Sequence, residues 1–170
     1  MKLNLGSGKG RIEGFTNLDI VPGDNIDIVA DVSEGIPLEN NSVEEVYCRH
    51  VLQYVDNLEN AMEEIYRICK NEANIKIIVN YYSHFLAHGE YAKRSFSHIA
   101  FNPYVEEKQS YRNNHNVKLT DQQINLVFSK YFKFMERFAN KHAWFYANFL
   151  DKVFPAQEIE FRFKINKTQK

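Results

Sequence analysis

The sequence predicts an α/β domain on a mainly parallel sheet, with an antiparallel strand near its C-terminus. Short apolar strands recur through the first 80 residues, and residues 58–70 carry one clear helical period. Residues 157–165 alternate strictly between apolar and polar, as a strand with one wet face does.

Taken in order, residues 3–5 are a short apolar start that runs into glycines. Residues 15–21 (FTNLDIV) and 26–32 (IDIVADV) read as the second and third strands. Residues 37–42 (PLENNS) are turn chemistry, and 43–48 (VEEVYC) are a fourth strand. In 58–70 (LENAMEEIYRICK), Leu58, Ala61, Met62, Ile65, Ile68 and Cys69 share one face, with Glu59, Glu63 and Arg67 on the wet side. Residues 71–73 end that helix, and 75–79 (IKIIV) form a buried strand. Residues 81–109 are rich in aromatics, histidines and small polar groups, and 113–117 read as a loop. Thr120 with Gln123 three residues on has the capping-box pattern and predicts a helix start. Residues 143–154 read as a helix that stops before Pro155, and Ile159, Phe161, Phe163 and Ile165 share one face of the last strand.

Composition bounds the function. The 170 residues have the size of one domain, 1–170. Net charge is −1, from 21 basic and 22 acidic residues, which argues against a general nucleic-acid binder. Two cysteines, Cys48 and Cys69, build no disulfide framework. No apolar run suits a signal peptide or a membrane span, so the expectation is a cytoplasmic protein without membrane contact.

The strongest local signal is Leu3-Asn4-Leu5-Gly6-Ser7-Gly8-Lys9-Gly10, a strand that ends in a glycine turn. Without Cβ atoms the backbone lets a ligand come close, at the strand end where open α/β sheets bind ligands. Asp19 and Asp31 stand at the ends of the next two strands. One carboxylate there can bridge a ribose diol, and the other can accept from an adenine amino group.

These blocks resemble class I S-adenosylmethionine-dependent methyltransferases, in particular the short type 11-like group. The matching stretches are Leu3-Asn4-Leu5-Gly6-Ser7-Gly8, Gly14-Phe15-Thr16-Asn17-Leu18-Asp19 and Ala30-Asp31-Val32. They continue with residues 36–47 (IPLENNSVEEVY), His50-Val51-Leu52-Gln53-Tyr54-Val55 and Glu64-Ile65-Tyr66-Arg67-Ile68-Cys69-Lys70. The resemblance covers residues 3–79. It implies a Rossmann-like methyltransferase fold and S-adenosylmethionine as cofactor. It places Leu5, Gly6, Ser7 and Gly8 against the methionine part, Asp19 on the ribose, and Asp31 with Val32 on the adenine. Arg49 and His50 would lie near the sulfonium, with His50 as the candidate base. Relatives carry an acid where Asn4 stands. The block ahead of Lys93-Arg94-Ser95-Phe96 lacks the Asp, Pro and His of the family's DPxH motif.

The function expected is methyl transfer to a small-molecule acceptor, with residues 81–118 as the variable acceptor-site segment. A non-catalytic cofactor-binding protein on the same fold is the alternative, favoured by the missing acid at Asn4. A nicotinamide-dependent oxidoreductase fits less well, since no GxGxxG opens a helix. His84 and His88 are four apart, but no metal site is expected. Only residues 9–14 and 22–25 join the first three strands, too few for covering helices. The N-terminal helices are therefore expected to be reduced. The bare sheet face would then be covered by the aromatic C-terminal half or by a second subunit in a homodimer.

Overall fold

The structure is a computed structural model that describes residues 1–109 and 115–167. Seven strands form one sheet: β1 (Lys2–Leu5), β2 (Thr16–Asp19), β3 (Ile28–Val29), β4 (Val43–Arg49), β5 (Cys69–Asn80), β6 (Leu119–Val127) and β7 (Glu158–Ile165). Their order is β3-β2-β1-β4-β5-β7-β6. The first five pair in parallel, and β7 runs antiparallel between β5 and β6. This is the Rossmann-like methyltransferase fold with reduced N-terminal helices.

The helix of the parallel half, α1 (Leu58–Ile68), buries Ala61, Met62, Ile65 and Ile68. Asn57 caps it by accepting from the Asn60 N–H. It ends earlier than the sequence suggests. Cys69 turns extended, and 71–73 already belong to β5, with Glu72 in the left-handed region to make the adjustment. Arg67 is not a solvated cation. It pairs with Glu64 and donates to the Ile36 and Leu38 carbonyls, while Glu64 accepts from the Ile36 N–H at 2.8 Å. That pair fastens the 36–40 turn to the helix.

The register sorts side chains into two unlike faces. Leu3, Leu5, Leu18, Val46, Cys48, Ile75, Ile77, Val79, Ile159, Phe161 and Phe163 fall on one face by strand pairing. They share one core with the buried face of α1, and Phe101 packs edge-on against Phe161 and Phe163. The opposite face carries Lys2, Asn4, Asn17, Glu45, Tyr47, Lys76, Glu160, Arg162 and Lys164. Ion pairs run across it, such as Lys2–Glu45 at 2.7 Å and Lys76–Glu160 at 2.9 Å. The second face is thus mostly polar, and Asn4, Asn17, Ile78 and Glu160 on it are buried.

Two further expectations change. The capping box at Thr120 starts no helix, because residues 119–127 pair with β7. The register breaks between Thr120 and Gln123, where Asp121 has positive φ. A local cap signal loses there to strand pairing. In the C-terminal half the helix expected over 143–154 forms over 143–150, but its second part is π-helical and it ends short of Phe154. α2 (Glu136–Lys141) is followed by helical turns at Ala143–Phe145 and Tyr146–Leu150. The loop read at 113–117 lies partly outside the described residues.

Where covering helices are reduced, a polar chain runs from the buried Asn4 and Asn17 of β1 and β2 to the exposed Asp27 just before β3. Asn4 Nδ2 donates to Asn17 Oδ1 at 2.8 Å and to the Gly10 carbonyl at 3.1 Å. The Asn17 backbone and side-chain amides both donate to Asp27 Oδ2. Asn17→Ala leaves buried polar groups without partners, so we expect a loss of about 2 kcal/mol in urea denaturation.

Candidate functional site

A cleft of about 360 Å³ opens at the carboxyl ends of β1 to β4. Among its lining residues are Leu5, Gly6, Asp19, Asp31, Val32 and His50. The structure therefore brings six of the sequence-selected residues together. Ser7, Gly8 and Arg49 do not line it.

The glycines of the turn differ in their reasons. Gly6 and Gly8 both have positive φ, +67° and +53°. A Cβ on Gly6 would sit 1.9 Å from Val51 Cγ2, so this glycine lets the chain after β4 pack on the turn. A Cβ on Gly8 would meet nothing within 4 Å, so the space above it is open. The amides of Gly6 and Ser7 donate to the Leu18 carbonyl at 2.7 and 3.1 Å, which ties the turn to β2. Ser7 Oγ is buried without a protein partner.

The acids sit at the mouth. Asp19 accepts from the Gly8 N–H at 2.8 Å and the Val21 N–H at 3.0 Å, one on each oxygen. Each oxygen keeps a further lone pair for a ligand hydroxyl. Asp31 accepts from the Ser33 N–H at 2.8 Å through Oδ1. Leu18, Ile20, Ala30 and Val32 give apolar walls beside these carboxylates. Asn4 does not line the cleft. Its side chain turns inward to Asn17 and Gly10, so its lack of charge concerns the scaffold of the turn.

His50 follows β4 in a left-handed conformation, φ +57°, and its N–H donates to the Ile78 carbonyl at 2.8 Å. Backbone strain at a non-glycine residue beside a cleft is a common mark of a functional position. His50 Nε2 lies 2.9 Å from Glu158 Oε1, and Arg49 donates to the same oxygen at 2.8 Å. The His50 hydrogen bond, joined by Arg49, holds the Glu158 carboxyl at about 2 against the opposing effect of burial. The sequence reading missed Glu158. It lies 108 positions from His50, and only the β5–β7 pairing brings them together.

Other candidates have structural work. Lys93 lines the cleft and pairs with Asp56. Arg94 donates to the carbonyls of Leu52, Val55 and Asp56, so it braces the 52–56 turn. His84 caps the turn Phe85–His88, and His88 donates to the Tyr82 carbonyl. No cluster of three or more metal-ligating side chains exists among the described residues. Burial pushes the Cys48 and Cys69 thiols up to about 12. Of the 81–118 segment, Lys93 reaches the cleft, while Tyr81, Phe96, Phe101, Tyr104, Val105 and Val117 are core.

A parallel sheet with a glycine turn, strand-end acids and a cleft at the carboxyl edge is the arrangement in which open α/β sheets bind ligands. Residues 15–76, from just before β2 into β5, match the methyltransferase domain family, type 11. That match covers about a third of the chain, and it falls on the strands and helix that build the cleft. No curated protein matches the sequence. Solved structures share the fold at low identity. An S-adenosylmethionine-dependent methyltransferase from Archaeoglobus fulgidus has TM-score 0.67 at 15% identity, covering 96% of this chain and 85% of that one. A Haloferax volcanii complex with the Trm112 methyltransferase activator gives 0.57 at 17%, covering 97% and 82%. A Haemonchus contortus phosphoethanolamine N-methyltransferase, bound to phosphomonomethylethanolamine and S-adenosylhomocysteine, gives 0.60 at 14%, covering 98% and 48%.

Two results are expected. Gly6→Ala meets both the Val51 clash and a strained φ, whereas Gly8→Ala meets only the φ cost of about 1 kcal/mol. Thermal melts should show Gly6→Ala as clearly the less stable. Glu158 has a depressed folded pKa, so its stabilisation is present above its ordinary value of 4.5 and is lost as pH falls toward 2. Glu158→Gln should cost on the order of 2 kcal/mol at pH 7, and urea titrations should show that gap closing between pH 4.5 and 2.5.

Proposed function

We propose that this chain transfers a methyl group from S-adenosylmethionine to a small-molecule acceptor. The convergence of Gly6, Asp19, Asp31, Val32 and His50 on one cleft carries the reading. The residues fit that cofactor. The open space over Gly8 admits a ligand against the turn, the free lone pairs of Asp19 suit a ribose diol, and Asp31 beside Ala30 and Val32 suits an adenine.

When bound, S-adenosylmethionine supplies an electrophilic methyl on a sulfonium. The protein's part is positioning and exclusion of water, which can provide most of the rate of an in-line transfer. The apolar walls Leu5, Val51 and Val55 keep the cleft floor dry. His50 is the general base. Donating Nε2–H to Glu158 leaves Nδ1 as the basic nitrogen, which faces the Gln53 side-chain amide at 3.4 Å and must exchange that long contact for the acceptor's proton. Arg49 acts through Glu158 and so positions His50. The acceptor enters beside Tyr54 and Lys93, the latter standing for the 81–118 segment in the cleft. The neighbour crystallised with phosphomonomethylethanolamine and S-adenosylhomocysteine supports a small acceptor beside such a cofactor.

Calorimetric titration with S-adenosylhomocysteine tests the reading. The wild type should bind, and Asp19→Asn should weaken binding at least tenfold while melting like the wild type. No binding by the wild-type chain would overturn the assignment. Binding with no methyl transfer to any acceptor would favour the non-catalytic alternative.

A further inference from the structure

Residues 130–153 carry a feature that methyl transfer does not use. Trp144, Phe145 and Phe149 are exposed, at 69%, 44% and 60%. Their rings touch each other, Phe145–Phe149 at 4.9 Å and Trp144–Phe149 at 6.0 Å, and Phe138 adjoins Phe145 at 6.2 Å. Tyr131, Phe134 and Val153 are exposed on the same stretch. So many exposed aromatic rings on one stretch, four of them in a contiguous cluster, mark a contact site.

Its charge shows what kind. The stretch has two acids, and both are taken. Glu136 pairs with Lys133, and Asp151 is buried under the Tyr82 hydroxyl. Lys130, Arg137, Lys141 and Lys152 are exposed and form no ion pair among the described residues. The chain as a whole has net charge −1, so this excess of cations is local. A second copy docking by two-fold symmetry would set the four cations against four more. Exposed Trp and Phe interspersed along the chain with Lys and Arg suit the headgroup layer of an anionic bilayer instead, where rings enter the interface and cations meet phosphates.

The position adds a third argument. Val127 and Asn80 both pair with Glu158, so residues 128–157 leave and rejoin the sheet at the edge that bears His50. We propose that residues 130–153 dock this protein on anionic lipid surfaces, with the cleft edge turned toward the bilayer. No helix among the described residues is long and apolar enough to cross a membrane, so the attachment is peripheral. This departs from the sequence expectation of no membrane contact, and it does not rest on the methyl-transfer reading.

Trp144 is the sole tryptophan of the chain and so reports on its own patch. Vesicles of phosphatidylcholine with 30% phosphatidylserine should shift its emission to the blue and carry the protein down on sedimentation. Raising the salt to about 0.5 M should release it. Arg137→Gln with Lys141→Gln should weaken co-sedimentation about fivefold per charge removed. Phe145→Ser with Phe149→Ser, on exposed positions, should abolish it without altering the melt. No association with the anionic vesicles at low salt would overturn the proposal. So would equal binding to pure phosphatidylcholine, or a blue shift without vesicles that rises with protein concentration, which would mean a second copy occupies the patch.

Discussion

The structure depends on how its first three strands are held without helices over them. Elsewhere in such sheets, crossover helices bury one face and fix the strands in place. Here Asn4, Asn17 and Asp27 do it with hydrogen bonds that run from β1 through β2 to the approach of β3. Buried amides that satisfy each other specify register more sharply than apolar contacts, since a one-residue slip would leave every partner unpaired. The same chain reaches the Gly10 carbonyl, so the turn beneath the cleft is set by the network that aligns the strands.

That choice accounts for the lopsided sheet. One face is apolar and meets α1 and the Phe96–Phe101 stack, and the other is a ladder of ion pairs. Each exposed pair contributes little stability, but together they keep a bare face soluble and unattractive to other strands. The Glu64–Arg67 pair serves a similar end on the covered side, holding with a few polar contacts the 36–40 turn that no helix flanks.

Much of this was legible in the chain. The strand-end placement of Gly6, Asp19, Asp31 and His50 follows from short blocks in a fixed order, and the cleft gathers all four. The period of residues 58–70 gave α1 because an amphipathic stripe depends only on local spacing. The last strand was equally legible, since residues 158–165 alternate between apolar and polar. What could not be read depends on distant pairing. Thr120 carries a good local cap but lies opposite Lys164, and the ladder wins. Glu158 joins His50 because β7 inserts beside β5, an arrangement no local pattern encodes. The role of Arg67 was hidden because its partners lie in a turn some thirty residues earlier.

The short connections between β1, β2 and β3 also bear on the order of folding. With no helices intervening, Gly6, Gly8, Asp19, Asp31 and Val32 all fall within the first 32 residues. Loop closure there is short, so these contacts can form early and at small entropic cost. His50 and Glu158 must instead await strands far apart in the chain. The cleft thus has an early half and a late half, and a partly folded chain would have the first without the second.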